Sequence, residues 1–127
     1  MTMFETKEAA AAPDAIAPDG SEVRLLCSLG AGGMAEFRLP AGKVSKAVSH
    51  RTVEEIWYFT AGIGHLWRAL DGREEVTPVR PGVSLTIPLG TAFQFRADAG
   101  APLVAVGVTM PPWPGDGEAE PREGKWA

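Results

Sequence analysis

The sequence predicts an all-β protein built as an antiparallel β-barrel or jelly roll. Clusters of glycine and proline interrupt the chain about every ten residues, from LGAGGM through TAGIG and VRPGV to RADAGAP. The runs between them are short and rich in Val, Ile, Thr, Phe, Trp and Leu. Short strands at regular spacing, separated by turns, are typical of β-sandwiches and barrels. We therefore expect strands over residues 22–28, 34–39, 44–49, 54–60, 64–70, 74–79, 83–88, 92–97 and 102–110.

An alternation of apolar and other residues supports several of these strands. Side chains two positions apart on a strand lie on the same face, so this period separates a buried face from an outer one. The alternation is clear over residues 35–39, 83–87, 93–96 and 104–109. Outside the N-terminus, no segment sustains the period of an amphipathic helix.

The two ends of the chain differ in composition from the segment between them. Residues 1–20 are rich in Ala, Pro and acidic residues and predict a flexible N-terminal arm. Residues 111–127 are rich in Pro, Gly and Glu and predict an irregular C-terminal strap, in which Trp113 and Trp126 should pack against the domain edge or a neighbouring subunit. Residues 21–110 would then form one barrel domain, as the total of 127 residues also suggests.

Charge and composition exclude several classes of function. A net charge of −4 and a pI of about 5.1 argue against a nucleic-acid groove and against a polybasic membrane surface. No apolar run reaches the roughly 18 residues of a spanning helix, and the acidic N-terminus does not resemble a secretory signal. The single cysteine, Cys27, cannot form an intrachain disulfide. We expect a cytoplasmic protein that binds neither nucleic acid nor membrane.

Two stretches of the chain resemble the two sequence motifs of the cupin superfamily. GKVSKAVSHRTVEEIWYFTAG matches the first motif at four positions, and GVSLTIPLGTAFQFRA matches the second at three. The matching residues are Gly42, His50, Glu55 and Gly62, then Gly82, Pro88 and Gly90. The resemblance implies a cupin-type barrel with a site inside it, where three histidines and one glutamate usually hold a metal ion.

The chain departs from the motifs at most of the ligand positions. Val48 stands where the first motif has its first histidine, and Phe93 stands at the histidine of the second motif. Ala97 replaces the asparagine that ends the second motif. Only His50 and Glu55 remain, whereas catalytic metal sites use about three protein ligands. We expect no tightly bound cofactor, and at most a weakly bound divalent metal at these two residues.

Three interpretations of His50 and Glu55 stay open from the sequence. They could be a vestigial pair that bond each other, an acid–base pair that transfers a proton to a substrate, or a two-ligand metal site. The apolar residues expected around them could line a small-molecule cavity or simply fill the barrel. These apolar residues are Val48, Trp57, Phe59, Phe93, Phe95 and Val106.

Arg68 is a further candidate because it shares a strand face with Gly64 and Leu66, which the resemblance turns inward. A buried arginine needs a partner, and Glu55 is the expected one. The alternative is an arginine at the solvent or at a subunit interface.

The sequence favours a protein that binds a small molecule beside His50 and Glu55. The alternatives are a cupin enzyme (an isomerase, lyase, cyclase or metal-dependent oxygenase) that uses the same pocket, and a dimeric interaction protein with a filled barrel. Single-domain cupins commonly pair, and neither the N-terminal arm nor the tail tryptophans are otherwise explained. We therefore expect a homodimer.

Overall fold

The computed structural model describes residues 4–115 and 117–127, which form eleven strands and no helix. None of these residues therefore belongs to a helix long and apolar enough to cross a bilayer. The strands are β1 (Ala15–Ile16), β2 (Glu22–Leu29), β3 (Gly32–Leu39), β4 (Val48–His50), β5 (Glu54–Ala61), β6 (Gly64–Leu70), β7 (Arg73–Val79), β8 (Ser84–Ile87), β9 (Ala92–Ala97), β10 (Leu103–Met110) and β11 (Ala119–Pro121).

The strands form two antiparallel sheets with the core between them. The order in the larger sheet is β1-β2-β3-β10-β5-β8, and the order in the smaller sheet is β11-β4-β9-β6-β7. The two sheets do not join into a closed barrel among the described strands. The arrangement is a jelly roll, which confirms the predicted all-β antiparallel fold.

Eight of the nine predicted strands are present with bounds within two residues of those expected. The exception is residues 44–49, where only the end belongs to a strand, as β4. The backbone here bonds to two separate partners, because Ser45 donates its N–H to Phe95 and Lys46 donates to Asp19. A backbone segment that bonds to two separate partners does not form the regular hydrogen-bond ladder of a strand. The short strands β1 and β11 were not expected. β1 lies inside the segment predicted to be a flexible arm and pairs with the next strand, β2, whereas β11 depends on the distant strand β4.

The core is built around one aromatic side chain, Trp57. Its ring stacks on Phe37 at 4.9 Å between centroids and meets Phe93 and Phe95 edge-on at 5.8 and 5.2 Å. Small residues face this cluster from β10. A Cβ atom on Gly107 would lie 2.6 Å from the ring of Phe37, so only glycine fits at that position. The aromatic rings thus occupy space that larger inward residues on β10 would need.

The face of β10 that packs around Trp57 is not the face expected from the sequence. Ala105, Gly107 and Thr109 are buried and face inward, whereas Val106 and Val108 lie on the outer face and are partly exposed. Val106 was expected to line a cavity together with Trp57, Phe59 and Phe95. Alternation along a strand identifies its two faces but does not show which of them is buried. In β10, packing against the neighbouring strands determines which face is buried.

Gly62, the last glycine of the first motif, closes the turn between β5 and β6. Its φ angle is 79°, a region that side chains other than glycine rarely adopt. A Cβ atom there would also overlap the carbonyl oxygen of Pro102. Both the backbone conformation and the close approach therefore require glycine at this position.

The N-terminal segment is bound along β2. Arg24 donates hydrogen bonds from Nε to the Ala10 carbonyl at 2.8 Å and from an Nη atom to the Ala11 carbonyl at 3.1 Å. The carboxylate of Asp14 accepts a bond from the N–H of Leu25 at 2.8 Å. Most side chains of this segment are exposed, so these hydrogen bonds between side chains and the backbone, rather than core burial, hold it in place.

Both tail tryptophans pack within the chain. Trp113 meets the imidazole of His50 edge-on, with 4.9 Å between ring centroids. The backbone of Trp126 exchanges two 2.9 Å hydrogen bonds with the side-chain amide of Gln94, and its ring lies 4.5 Å from the guanidinium carbon of Arg96. Neither residue needs a neighbouring subunit to explain it, and the homodimer stays a prediction.

Glu118, in the C-terminal segment, holds the turn between β4 and β5. Its carboxylate accepts bonds from the N–H of Thr52 at 2.7 Å, from the Thr52 hydroxyl, and from the N–H of Val53 at 3.1 Å. Burial alone would raise the pKa of Glu118, but these hydrogen bonds to the charged form outweigh burial and lower it. Because His50 and Glu55 flank this turn, Glu118 supports the segment that joins them.

We expect Glu118→Gln to lower the free energy of unfolding at pH 7 by about 1–3 kcal/mol, since charged hydrogen bonds to two backbone N–H groups are weakened. The pKa of Glu118 is lowered in the folded state, so its contribution is complete above the ordinary glutamate pKa of about 4.3 and is lost as pH falls through the lower folded value. Urea unfolding at pH 7 and at pH 3 measures both effects. The difference between the variant and the unaltered chain should shrink at the lower pH.

Glu120→Gln is the matched control, because Glu120 is partly exposed and, within the described part of the chain, its ion pairs are with the exposed Arg51 and Arg122. It should change the free energy of unfolding by no more than about 0.5 kcal/mol. Equal destabilisation by the two variants would contradict the role given to Glu118.

Candidate functional site

A cavity of about 670 Å³ opens between the two sheets at one end of the jelly roll. Strands β2, β3, β4, β5, β9 and β10 supply its walls, and segments from both ends of the chain complete it at Ala15–Asp19 and around Trp113. Its walls are mainly apolar, and several polar groups lie together on one side. Its volume is typical of a small-molecule site.

The aromatic cluster forms the closed end of the cavity. Phe37, Trp57 and Phe93 line it, and Trp57 and Phe93 are almost fully buried. The indole N–H of Trp57 donates a 3.0 Å hydrogen bond to Oε1 of Glu55. This bond fixes the glutamate at the boundary between the apolar end and the polar side of the cavity.

His50 and Glu55 lie in direct contact beside this aromatic end. Nδ1 of His50 is 2.8 Å from Oε2 of Glu55, and their side chains are only 8% and 2% exposed. The two atoms do not meet in the direction of a hydrogen bond, so neither has a hydrogen-bond partner among residues 4–115 and 117–127. Phe93 and Trp113 hold the imidazole from two directions, with ring centroids 5.2 and 4.9 Å away. The pair is a close polar contact with unused hydrogen-bonding capacity.

The third ionisable group on the polar side is Asp19. Its side chain is buried and lines the same cavity, and its Oδ1 accepts bonds from the Ser21 N–H at 2.9 Å and the Ser21 hydroxyl at 2.6 Å. Burial raises the pKa of Asp19, the bonds from Ser21 partly offset that increase, and the charge of Glu55 adds to it. The cavity therefore holds two buried carboxylates and one imidazole.

Sequence analysis missed Asp19 because it lies in the segment predicted to be a flexible arm. A local signal was present in PDGS, where an aspartate can bond its own backbone two residues later and form a turn. That signal marks a turn and says nothing about burial. Only the pairing of β1 with β2 brings Asp19 over the cavity.

The structure brings five of the sequence-predicted site residues together at the cavity. They are Val48, His50, Glu55, Trp57 and Phe93. Phe59 and Phe95 are buried in the core beyond the aromatic end, where they support Trp57 rather than line the cavity. Val106 lies on the outer face of β10, as described above.

Arg68 does not form the expected contact with Glu55. Its guanidinium bonds to Oε1 of Glu75 at 2.7 Å, to the Thr77 hydroxyl at 3.1 Å and to the carbonyl of Thr86 at 2.8 Å. Glu75 lies directly opposite Arg68 on the neighbouring strand β7 and is therefore the nearer partner. The bond to Thr86 joins β6 to β8, so Arg68 links the two sheets outside the cavity.

The residues at the motif positions do not fit the metal centre that the resemblance implies. Val48 and Phe93 lie directly opposite each other on β4 and β9, and both line the cavity without offering a lone pair. No three His, Cys, Asp or Glu side chains converge as metal ligands among residues 4–115 and 117–127. His50 and Glu55 give two ligands, too few for the usual coordination of a tightly held transition metal.

Solved structures with this architecture identify the fold. The chain superposes on a Streptomyces PAC13 variant with uridine at a TM-score of 0.71, with 10% identity, covering 96% of this chain and 92% of that one. A Klebsiella pneumoniae protein with a double-stranded β-helix domain matches at a TM-score of 0.66 and 12% identity, covering 98% and 99% of the two chains. The chain has the cupin fold. The identities are low, and this likeness concerns the fold alone.

A third neighbour is the capsular polysaccharide assembling protein CapF of Staphylococcus aureus, with a TM-score of 0.70 and 14% identity over 84% of this chain. The present chain spans only about a third of CapF, since 33% of that protein is covered. No protein-family model matches the sequence, and no curated protein matches it.

We expect the double variant Val48→His with Phe93→His to bind Ni²⁺ or Zn²⁺ at least about a hundredfold more tightly than the unaltered chain, because it supplies two imidazoles beside His50 and Glu55. Isothermal titration of the metal-free proteins measures this change. The control is Ile63→His with Leu89→His, which adds two imidazoles at exposed positions outside the cavity. Equal affinities for the two double variants would mean that positions 48 and 93 do not share a site with His50.

Proposed function

We propose that the protein binds a small molecule in the cupin cavity, with the apolar part of the molecule against Trp57 and Phe93 and its polar part beside His50 and Glu55. The observation that carries the proposal is the cavity itself, whose apolar end is continuous with a polar side of ionisable groups. A filled barrel would leave no such volume. The amphipathic wall predicts an amphipathic ligand.

The buried but unused polar atoms support binding rather than a purely structural role. Nδ1 of His50 and Oε2 of Glu55 have no hydrogen-bond partner among the described residues, and buried groups of this kind cost free energy. A ligand or ordered water that bonds them would remove that cost. The likeness to PAC13, whose structure contains uridine, favours a molecule with a planar ring.

Acid–base catalysis on the bound molecule is a second candidate function, favoured by the 2.8 Å contact between His50 and Glu55. A positioned imidazole with a carboxylate at one nitrogen is a common arrangement for proton transfer. Such an enzyme would be an isomerase, lyase or cyclase. His50→Gln should then abolish turnover of a ligand that the variant still binds, whereas in a pure binding protein the ligand would be recovered unchanged from both proteins.

The binding proposal predicts that Nile red, a neutral apolar fluorophore, binds the protein with increased emission and that filling the cavity prevents this. Ala35→Trp places a large ring into the cavity from β3 and should weaken binding by roughly tenfold or more. Ala99→Trp adds the same ring at an exposed loop position and should leave binding unchanged. Fluorescence titration measures the three affinities, with circular dichroism to verify folding.

If Ala35→Trp binds the dye as tightly as Ala99→Trp, the dye lies elsewhere and the cavity is not the site. Failure of the unaltered protein to bind Nile red or any added ligand would overturn the proposed function.

A further inference from the structure

The charges around the cavity are unbalanced. Asp19 and Glu55 are 7% and 3% exposed. One carboxylate oxygen of Asp19 accepts both bonds from Ser21, and one oxygen of Glu55 accepts the bond from Trp57. The second oxygen of Asp19 has no hydrogen-bond donor among residues 4–115 and 117–127, and that of Glu55 has only its off-axis contact with His50. Two carboxylates thus retain acceptor capacity in one largely apolar space.

Few positive groups offset these carboxylates. Among the described residues that line the cavity, the basic side chains are His50 and Lys7, and Lys7 is exposed. When Asp19 and Glu55 are both ionised, a neutral His50 leaves two negative groups, and a protonated His50 neutralises only one. In this site of low polarity, the two carboxylates would repel an anionic ligand and attract a cationic one.

The pKa of Asp19 is raised, which favours its neutral form. Burial is the main cause of the increase, and the charge of Glu55 adds to it. A cation bound between the two carboxylates would favour the ionised form of both.

The apolar walls also suit an organic cation. Phe37, Trp57, Phe93 and Trp113 all contribute to the lining. Aromatic rings attract ammonium groups through their quadrupole, and Trp does so most strongly. A small inorganic cation is served less well, because no three ligating side chains converge within the described part of the chain.

We propose that the ligand of this cavity carries a protonated amine, which lies between the carboxylates of Asp19 and Glu55, and an apolar or aromatic body, which lies against Trp57 and Phe93. The proposal rests on the proposed binding function and specifies its ligand class. It assigns to Asp19, a residue outside the two motifs, the role of a specificity determinant.

Three probes of one skeleton test the sign of the charge: phenethylamine (positive at pH 7), phenethyl alcohol (neutral) and phenylacetate (negative). Each is titrated against the unaltered protein with bound Nile red. The amine should displace the dye at a concentration roughly tenfold or more below that of the alcohol, and phenylacetate should be the weakest. The three differ mainly in charge, so the order measures electrostatic preference.

Asp19→Asn and Glu55→Gln each remove one charge while keeping the shape of the side chain, and an asparagine still offers an oxygen to Ser21. Each should weaken amine displacement about tenfold more than it weakens alcohol displacement. Glu54→Gln is the matched control, because Glu54 precedes Glu55 on β5 and is exposed on the other face. It should change neither value.

The outcomes separate the two proposals. If Nile red binds and the alcohol or phenylacetate displaces it at least as well as the amine does, the amine assignment is overturned and the binding function stays intact. The same conclusion follows if the dye binds and no probe displaces it. Absence of binding by the dye and by all three probes overturns the proposed function itself. An amine preference that survives both Asp19→Asn and Glu55→Gln would also overturn the assignment.

Discussion

The packing of Trp57 between the two sheets is the constraint on which the rest of the structure depends. Its ring contacts Phe37, Phe59, Phe93 and Phe95, which come from both sheets, and it is 1% exposed. So large a group requires small residues opposite, and β10 supplies glycine at position 107. Because the aromatic rings fill only one end of the interior, the other end remains as the cavity. The same indole bonds Glu55 and so connects core packing to the polar site.

The polar side of the cavity depends on segments that lie outside the main strands. Glu118 holds the turn that separates His50 from Glu55, and Trp113 packs on the imidazole. Asp19 enters from the N-terminal segment, which backbone bonds secure along β2. Such segments have few buried apolar contacts and are the part of a fold most easily opened. The polar side of the cavity therefore depends on the ends of the chain as well as on the main strands.

The chain keeps the cupin architecture while changing what its interior offers to a ligand. Where the resemblance implies imidazoles, Val48 and Phe93 present apolar surface, and they face each other across neighbouring strands. The carboxylate at Glu55 is retained and a second one, Asp19, lies close enough to affect it electrostatically. Apolar groups in place of two imidazoles remove metal ligands, and the two acids beside them are the basis of the proposed preference for an organic cation.

The sequence by itself determined the local features: strand positions, turns, and the two motifs with their missing histidines. These features follow from local backbone geometry. Side chains that alternate along the sequence predict a strand, and the positive φ angle in the turn at position 62 favours glycine. It also identified His50 and Glu55, but as isolated candidates. Only the tertiary structure decided that Val106 faces outward, that Arg68 pairs with Glu75, and that Asp19 joins the site. Each of these depends on which strand lies alongside and how much space its side chains leave, and such long-range packing is not encoded in any local pattern.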